Sequence, residues 1–359
     1  VYQLGQPFDR LLIVLLRTFA VLVLSASLIP CAVAGDADAA TARPRDYQQW
    51  KLPRLPAAPA DNLPTPARVE LGKMLFFDPR LSRNGNTSCA SCHNPALGWS
   101  DGLATARGFD GKLLGRASPS ILNSAFNTIH MWDGREKTLE DQATGPMKSA
   151  PEMNTDFDKF FAWIGKSEGY KAAFARAYPG EPIGAPTLQR AIAAFERTIV
   201  SRTSPFDRWV AGDTRAMTAQ QVRGMVLFND KDKTNCVACH SAPNFTDNGF
   251  HNLGLASFGA GEPDPGRYAQ KKVAALKGAF KTPSLRDVAR TAPYFHDGSA
   301  ASLMDVVEHY AAGGVSRGNL SPNIKPLELT AADKEALVAF MRALSSPAAP
   351  FSLPQLPHD

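Results

Sequence analysis

The chain has 359 residues, 44% of them hydrophobic, and 39 Lys and Arg against 34 Asp and Glu give a formal net charge of +5. That length suits two domains of ordinary size, each able to bury a core. The charge is modest and dispersed, with no basic block interleaved with aromatics, which argues against nucleic acid as a partner.

The first residues read as an export signal. Arg10 and Arg17 are positive, residues 18–29 are uncharged and mostly apolar, and Ala32-Val33-Ala34 offers a small-x-small cleavage site. The apolar stretch falls short of the roughly 20 residues of a transmembrane helix. Residues 1–34 are therefore expected to leave as a signal peptide, with Cys31, and the mature protein to be periplasmic without stable membrane insertion. Residues 35–65, rich in Ala, Pro and Asp, are expected to form a flexible surface arm. Residues 66–76 then show helical spacing at Val69, Leu71, Met74 and Leu75.

A Gly/Asn-rich loop leads to Cys89-Ala90-Ser91-Cys92-His93, and a second run reads Cys236-Val237-Ala238-Cys239-His240. Cys-x-x-Cys-His is the attachment pattern of c-type haem. Two thiols add to the porphyrin vinyl groups and the adjacent imidazole ligates the iron, so all three must meet one macrocycle. With Cys31 removed, every cysteine sits in these two runs. Zinc ribbons place their pairs about 15–20 residues apart, far closer than here. A thioredoxin-like pair expects a βαβ setting and has no use for the histidine. Structural disulfides remain the third alternative.

Between the two runs, residues 118–127, 139–143, 153–163 and 187–201 have helical character, the last with Leu188, Ile192, Phe195 and Ile199 in register. A second beginning follows. Thr218 and Gln221 form a capping box at the start of a helix over 218–228, and this helix runs into the second haem run. "Helix, loop, Cys-x-x-Cys-His" thus occurs twice, as an internal repeat. Residues 302–310 and 330–344 close the chain as helices. Strand patterns are scarce. The expected fold is mainly α, with long ordered loops around the haems and domains at 66–205 and 206–346, followed by a tail at 347–359.

The chain resembles the bacterial di-haem cytochrome c peroxidases, and within them the MauG-like branch. Five strings carry the likeness: residues 71–82 (LGKMLFFDPRLS), Met131-Trp132-Asp133-Gly134-Arg135, Pro151-Glu152-Met153, residues 281–286 (KTPSLR) and residues 292–298 (APYFHDG). The resemblance implies two cytochrome-c-like domains with one haem each, bound through Cys89/Cys92 with His93 and through Cys236/Cys239 with His240. It implies that Glu152 is the distal acid/base that steers peroxide cleavage, with Gln142 and Pro146 lining the same pocket. Trp132 is implied to relay charge between the haems.

Family members that rest inactive carry a blocking histidine in the loop after the first haem site. Residues 94–122 hold none, the matching loop being Arg107-Gly108-Phe109-Asp110-Gly111, so the first haem is expected to be open, with His130 a packed or surface side chain. At the second haem, the residue fourteen after His296 is Tyr310, where peroxidases of this family place methionine. A phenolate is a hard anionic ligand and lowers the potential relative to Met/His ligation. Met304 is the competing ligand. A family calcium site is put in doubt because Ala117 stands where an asparagine is usual, although Thr291 and Pro293 retain carbonyls.

These features predict an exported haem peroxidase or MauG-like protein-modifying oxidase. It would reduce hydrogen peroxide, pass through a high-valent di-haem state and draw electrons from a redox protein or a protein substrate. The rival is a non-enzymatic di-haem electron carrier or haem-based sensor.

Overall fold

The computed structural model describes residues 39–259 and 261–358. The expected signal peptide and Cys31 lie outside those residues. Eleven helices concern the fold: α1 (Pro66–Phe77), α2 (Cys89–Cys92), α3 (Leu139–Ala143), α4 (Gly145–Lys148), α5 (Phe157–Ile164), α6 (Glu168–Ala177), α7 (Ala185–Glu196), α8 (Pro205–Val210), α9 (Ala219–Asn229), α10 (Leu303–Ala311) and α11 (Ala331–Ala343). The strands β1 (Phe250–His251) and β2 (Phe280–Lys281) pair antiparallel, Phe250 opposite Lys281 and His251 opposite Phe280. No helix among the described residues is long and apolar enough to cross a membrane.

Local chemistry sets the helix starts. Thr218, Ser302 and Thr330 each accept a bond from the backbone N–H three residues on and close a capping box. Three expected helices change. Residues 118–127 form only a 3-10 turn at Ser124–Phe126, because Asn123 sits in the left-handed region at φ 58°. The helix expected from Met153 begins at Phe157, after Asn154 at φ 49° and the Asp156 cap. The helix expected to reach Ser201 ends at Glu196.

Two hydrophobic cores form, one mostly from residues 71–199 and one mostly from residues 206–344. Each is built on one close helix crossing. A Cβ at Gly72 of α1 would fall 1.9 Å from the Ala191 carbonyl oxygen of α7, and one at Gly224 of α9 would fall 1.8 Å from that of Ala336 in α11. One turn later, Phe76 meets Phe195 at 5.3 Å and Phe228 meets Phe340 at 5.3 Å, both edge to face. The repeat seen as helix, loop and haem run therefore extends to the packing beneath it.

The terminal segments depart from expectation. Trp50, in the stretch read as a loose arm, is 1% exposed and stacks on Phe245 of the second core at 4.3 Å. Arg286 holds it there by donating to the Trp50 carbonyl at 3.0 Å. Asn62 is fully buried and donates to Glu140 and to the Arg190 carbonyl. From the other end, Phe351 stacks on Phe77 and meets Trp99 edge-on in the first core. Apolar and amide side chains placed sparsely in Pro-rich sequence thus strap each half to the other.

Gly224→Ala is expected to force α9 and α11 apart and to destabilise the protein by about 1–3 kcal/mol, with Gly72→Ala doing the same at the first crossing. Denaturant titration against the parent measures this.

Candidate active site

The two Cys-x-x-Cys-His runs sit on equivalent turns. Ser88 opens α2, its N–H donating to Ser91 Oγ at 3.0 Å. The His93 ring Nδ1 lies 3.3 Å from the Trp99 carbonyl, and that of His240 lies 3.0 Å from the Phe245 carbonyl. A ring nitrogen facing a carbonyl carries the proton, which leaves Nε2 as the lone-pair nitrogen. Both carbonyls belong to aromatic residues held at positive φ, 61° for Trp99 and 55° for Phe245. Burial lowers both histidines to about 4, so they stand neutral and ready to ligate. Burial also pushes the Cys92 and Cys236 thiols up to about 11.

One continuous cavity of about 1290 Å³ runs between these turns, and Cys89, Cys92, His93, Cys236, Cys239 and His240 all line it. Four thiols and two neutral imidazoles around a mostly apolar space fit two c-type haems.

On the first side the cavity is lined by Trp132, Gln142, Pro146 and Glu152. The Glu152 loop is fixed by main-chain bonds, Phe109 N–H to the Pro151 carbonyl at 2.9 Å and Arg83 N–H to the Met153 carbonyl at 3.1 Å. The loop that carries no histidine packs directly on it, because a Cβ at Gly108 would strike the Pro151 carbonyl. Burial raises the Glu152 carboxyl, opposed by Arg135, whose guanidinium is 3.9 Å away. His130 is buried in the same wall.

Trp132 sits where the two halves meet. Its indole donates to the Ala117 carbonyl at 2.9 Å, and its own carbonyl accepts from Lys281 N–H at 2.8 Å. Its ring meets His296 edge-on at 6.4 Å, and His296 stacks on Phe280 at 3.5 Å. Trp132 and His296 occupy like turns: Met131 and Phe295 precede them at φ 68° and 69°, and Gly134 and Gly298 close them at 63° and 66°. Non-glycine residues at positive φ are uncommon, and here they aim both rings at one seam. Ala117 offers no side-chain oxygen at the expected calcium position, and its carbonyl is taken by Trp132.

An ionic chain backs this seam. Asp133 accepts from Arg116 and Arg135, both at 2.9 Å, and Arg116 forks onto Asp264 of the second half at 2.7 and 2.9 Å. Burial alone would raise the Asp133 carboxyl, but the two guanidiniums outweigh it and hold it below the usual range.

Tyr310, on α10, lines the cavity on the second side. Burial, with Cys239 and Cys236 nearby, pushes its phenol far up. Met304 packs against the second core and is not among the cavity-lining residues. His309 donates from Nε2 to the Leu253 carbonyl at 2.9 Å, and His251 pairs with Asp247 at 2.8 Å.

Comparison with known proteins fits this geometry. The sequence profile of "Di-haem cytochrome c peroxidase" matches residues 66–215. The methylamine utilization protein MauG of Methylorubrum extorquens is 44% identical over 94% of each chain. The chain belongs to the di-haem cytochrome c peroxidase family, in its MauG-like branch. The cytochrome c551 peroxidase of Pseudomonas aeruginosa is 36% identical over 80% of this chain and 81% of its own. Among solved structures, a MauG-like protein associated with microbial copper homeostasis superposes with a TM-score of 0.77 at 32% identity, covering 82% of this chain and 95% of that one.

As a family member the chain is a haem enzyme, a peroxidase or a MauG-like oxidase. Sequence reading missed Arg116, Arg135 and Asp264 in the site, and left His251, His296 and His309 without roles. Asp133 and Arg135 lay inside a quoted string, Met131–Arg135, which was the one signal that could have found them. Asp264 had no signal, since its partner lies 148 positions away.

A depressed carboxyl stabilises the fold above the usual aspartate value, near 3.9, and the contribution is lost as pH falls through the folded value. Asp133→Asn should therefore be less stable than the parent at neutral pH, with the gap closing below about pH 4. Stability curves across pH check this.

Proposed function

We propose that this is an exported, periplasmic enzyme with two covalent haems, in domains at 66–205 and 206–346, that reduces hydrogen peroxide and oxidises a protein partner. When bound, the haems would supply the redox chemistry, His93 holding the one that meets peroxide and His240 the one that shares the oxidising equivalents. The supporting observation is that Glu152, Gln142, Trp132 and Tyr310 line the same cavity as both attachment runs.

Glu152 acts as base and then acid. Its carboxylate takes the proton from one peroxide oxygen and returns it to the other, which departs as water. The oxygen left behind leaves as a second water once two protons from solvent and two electrons drawn from the protein partner have been added, so that H2O2 + 2 H+ + 2 e− gives 2 H2O. The haems, when bound, would hold those electrons in transit. Arg135 steadies the carboxylate and keeps part of it ionised against its burial. Gln142 gives the pocket a second polar face. The Trp132 indole, fixed at both its ring N–H and its carbonyl, offers an intermediate site for the hole between the halves. Tyr310 would supply a phenol oxygen to the second iron, a ligand that favours ferric and higher states. This ligand, with no histidine in residues 94–122 to block the first site, favours a protein-modifying oxidase over a peroxidase fed by a cytochrome.

Rapid mixing with peroxide tests this. The parent should show a fast spectral change, which a plain carrier or sensor would lack. Glu152→Gln should slow it by about 10²–10⁴-fold. Because the base must be ionised, Arg135→Ala should move the acid limb of the rate to higher pH. Fast turnover with reduced cytochrome c would count against the modifying role.

In protein whose mass carries two haems, electron paramagnetic resonance should show one high-spin and one low-spin centre. Tyr310→Phe should alter the low-spin signal, and an unchanged signal would remove Tyr310 as ligand.

A further inference from the structure

Lys281 is a buried cation that neither the packing nor the catalytic reading uses. It ends β2, only 8% of its surface is exposed, and it lines the cavity. Its ammonium donates to the Thr282 carbonyl at 2.9 Å and to no carboxylate among the described residues. The one acid acting on it is Asp247. That carboxylate already accepts from His251 at 2.8 Å and from Gly249 N–H at 2.7 Å. The remaining charged or titratable neighbours do not help: His251 is itself held protonated by Asp247, and His130 is pushed down to about 4 by burial and by Lys281.

An ammonium has three donors, and this one spends a single donor on a backbone carbonyl. Buried cations are kept where an anion answers them. Without one, burial pushes Lys281 down to about 8. The cavity beside it fits porphyrins, which bring carboxylates of their own. The Thr282 carbonyl that meets the ammonium also accepts from Thr246 Oγ at 2.7 Å, on the loop that follows His240. This sets the cation beside the second haem run.

We propose that the Lys281 ammonium seats a propionate carboxylate of the second haem at the seam between the halves. Lys281 is then a positioning residue with two ends. Its N–H holds the Trp132 carbonyl, and its charge holds the porphyrin edge. The assignment rests on the two-haem reading above.

A nearby cation favours the reduced, less positive iron, so its removal lowers the midpoint potential. Spectroelectrochemical titration of purified holoprotein, with both haems confirmed by mass, measures this directly. Lys281→Met should lower the second haem's midpoint, and Lys281→Arg should restore most of it. A second-haem midpoint equal to the parent's in Lys281→Met overturns the proposal. Should the Met variant fail to mature, Lys281→Gln serves, with the same two outcomes. Loss of haem from the parent would instead sink the two-haem reading.

Discussion

No packing of this chain's own side chains closes the space between the two Cys-x-x-Cys-His turns. A cavity of about 1290 Å³ is much larger than close-packed interiors retain. The two cores sit beside it without filling it, and each sends one aromatic toward a motif histidine: Phe76 lies 6.4 Å from His93 and Phe228 lies 6.4 Å from His240. Everything else in the fold serves this space. The glycine crossings bring the helices close enough to form its floor, and the strained Trp99 and Phe245 carbonyls set the histidine tautomers at its walls.

Charge is distributed around the cavity in a connected way. Arg116 joins Asp264 in one half to Asp133 in the other, Asp133 also binds Arg135, and Arg135 faces Glu152. A single run of guanidinium and carboxylate therefore leads from the interface between the halves to within 3.9 Å of Glu152. Bonds of this kind are stronger and more directional than neutral ones. They fix the Met131–Arg135 turn, which holds Trp132 and two members of the chain, and from it Arg135 reaches to within 3.9 Å of Glu152. Glu152 and Trp132 thus border one polar frame that spans both halves.

The repeated turns give the site an approximate internal symmetry with an unequal outcome. Met131-Trp132-Asp133-Gly134 and Phe295-His296-Asp297-Gly298 take the same backbone course, and their rings meet at the seam. The first presents an indole, the second an imidazole stacked on Phe280. Likewise α1 with α7 and α9 with α11 use the same glycine-to-carbonyl approach. Yet one side of the cavity carries Glu152 and the other Tyr310. Similar scaffolding with different side chains gives one cavity two chemically different sides.

The helices α1, α9, α10 and α11 were legible because apolar residues at helical spacing and, for the last three, Thr or Ser caps are local signals. The motif cysteines and histidines were legible for the same reason: one macrocycle imposes a fixed short spacing. The helices expected at 118–127 and from Met153 failed because positive-φ asparagines, which tertiary contacts stabilise, override apolar pattern. The strapping of Trp50 and Phe351 onto opposite halves, the Arg116–Asp264 link and the burial of Lys281 had no local signature. They join residues far apart in the chain, and a contact across such separation is decided by the folded whole, where burial and charge compensation are settled together. The sequence alone determined the two Cys-x-x-Cys-His motifs and their short spacing. Only the tertiary structure decided which charges surround them, because electrostatic neighbours are set by distance in space and not by position along the chain.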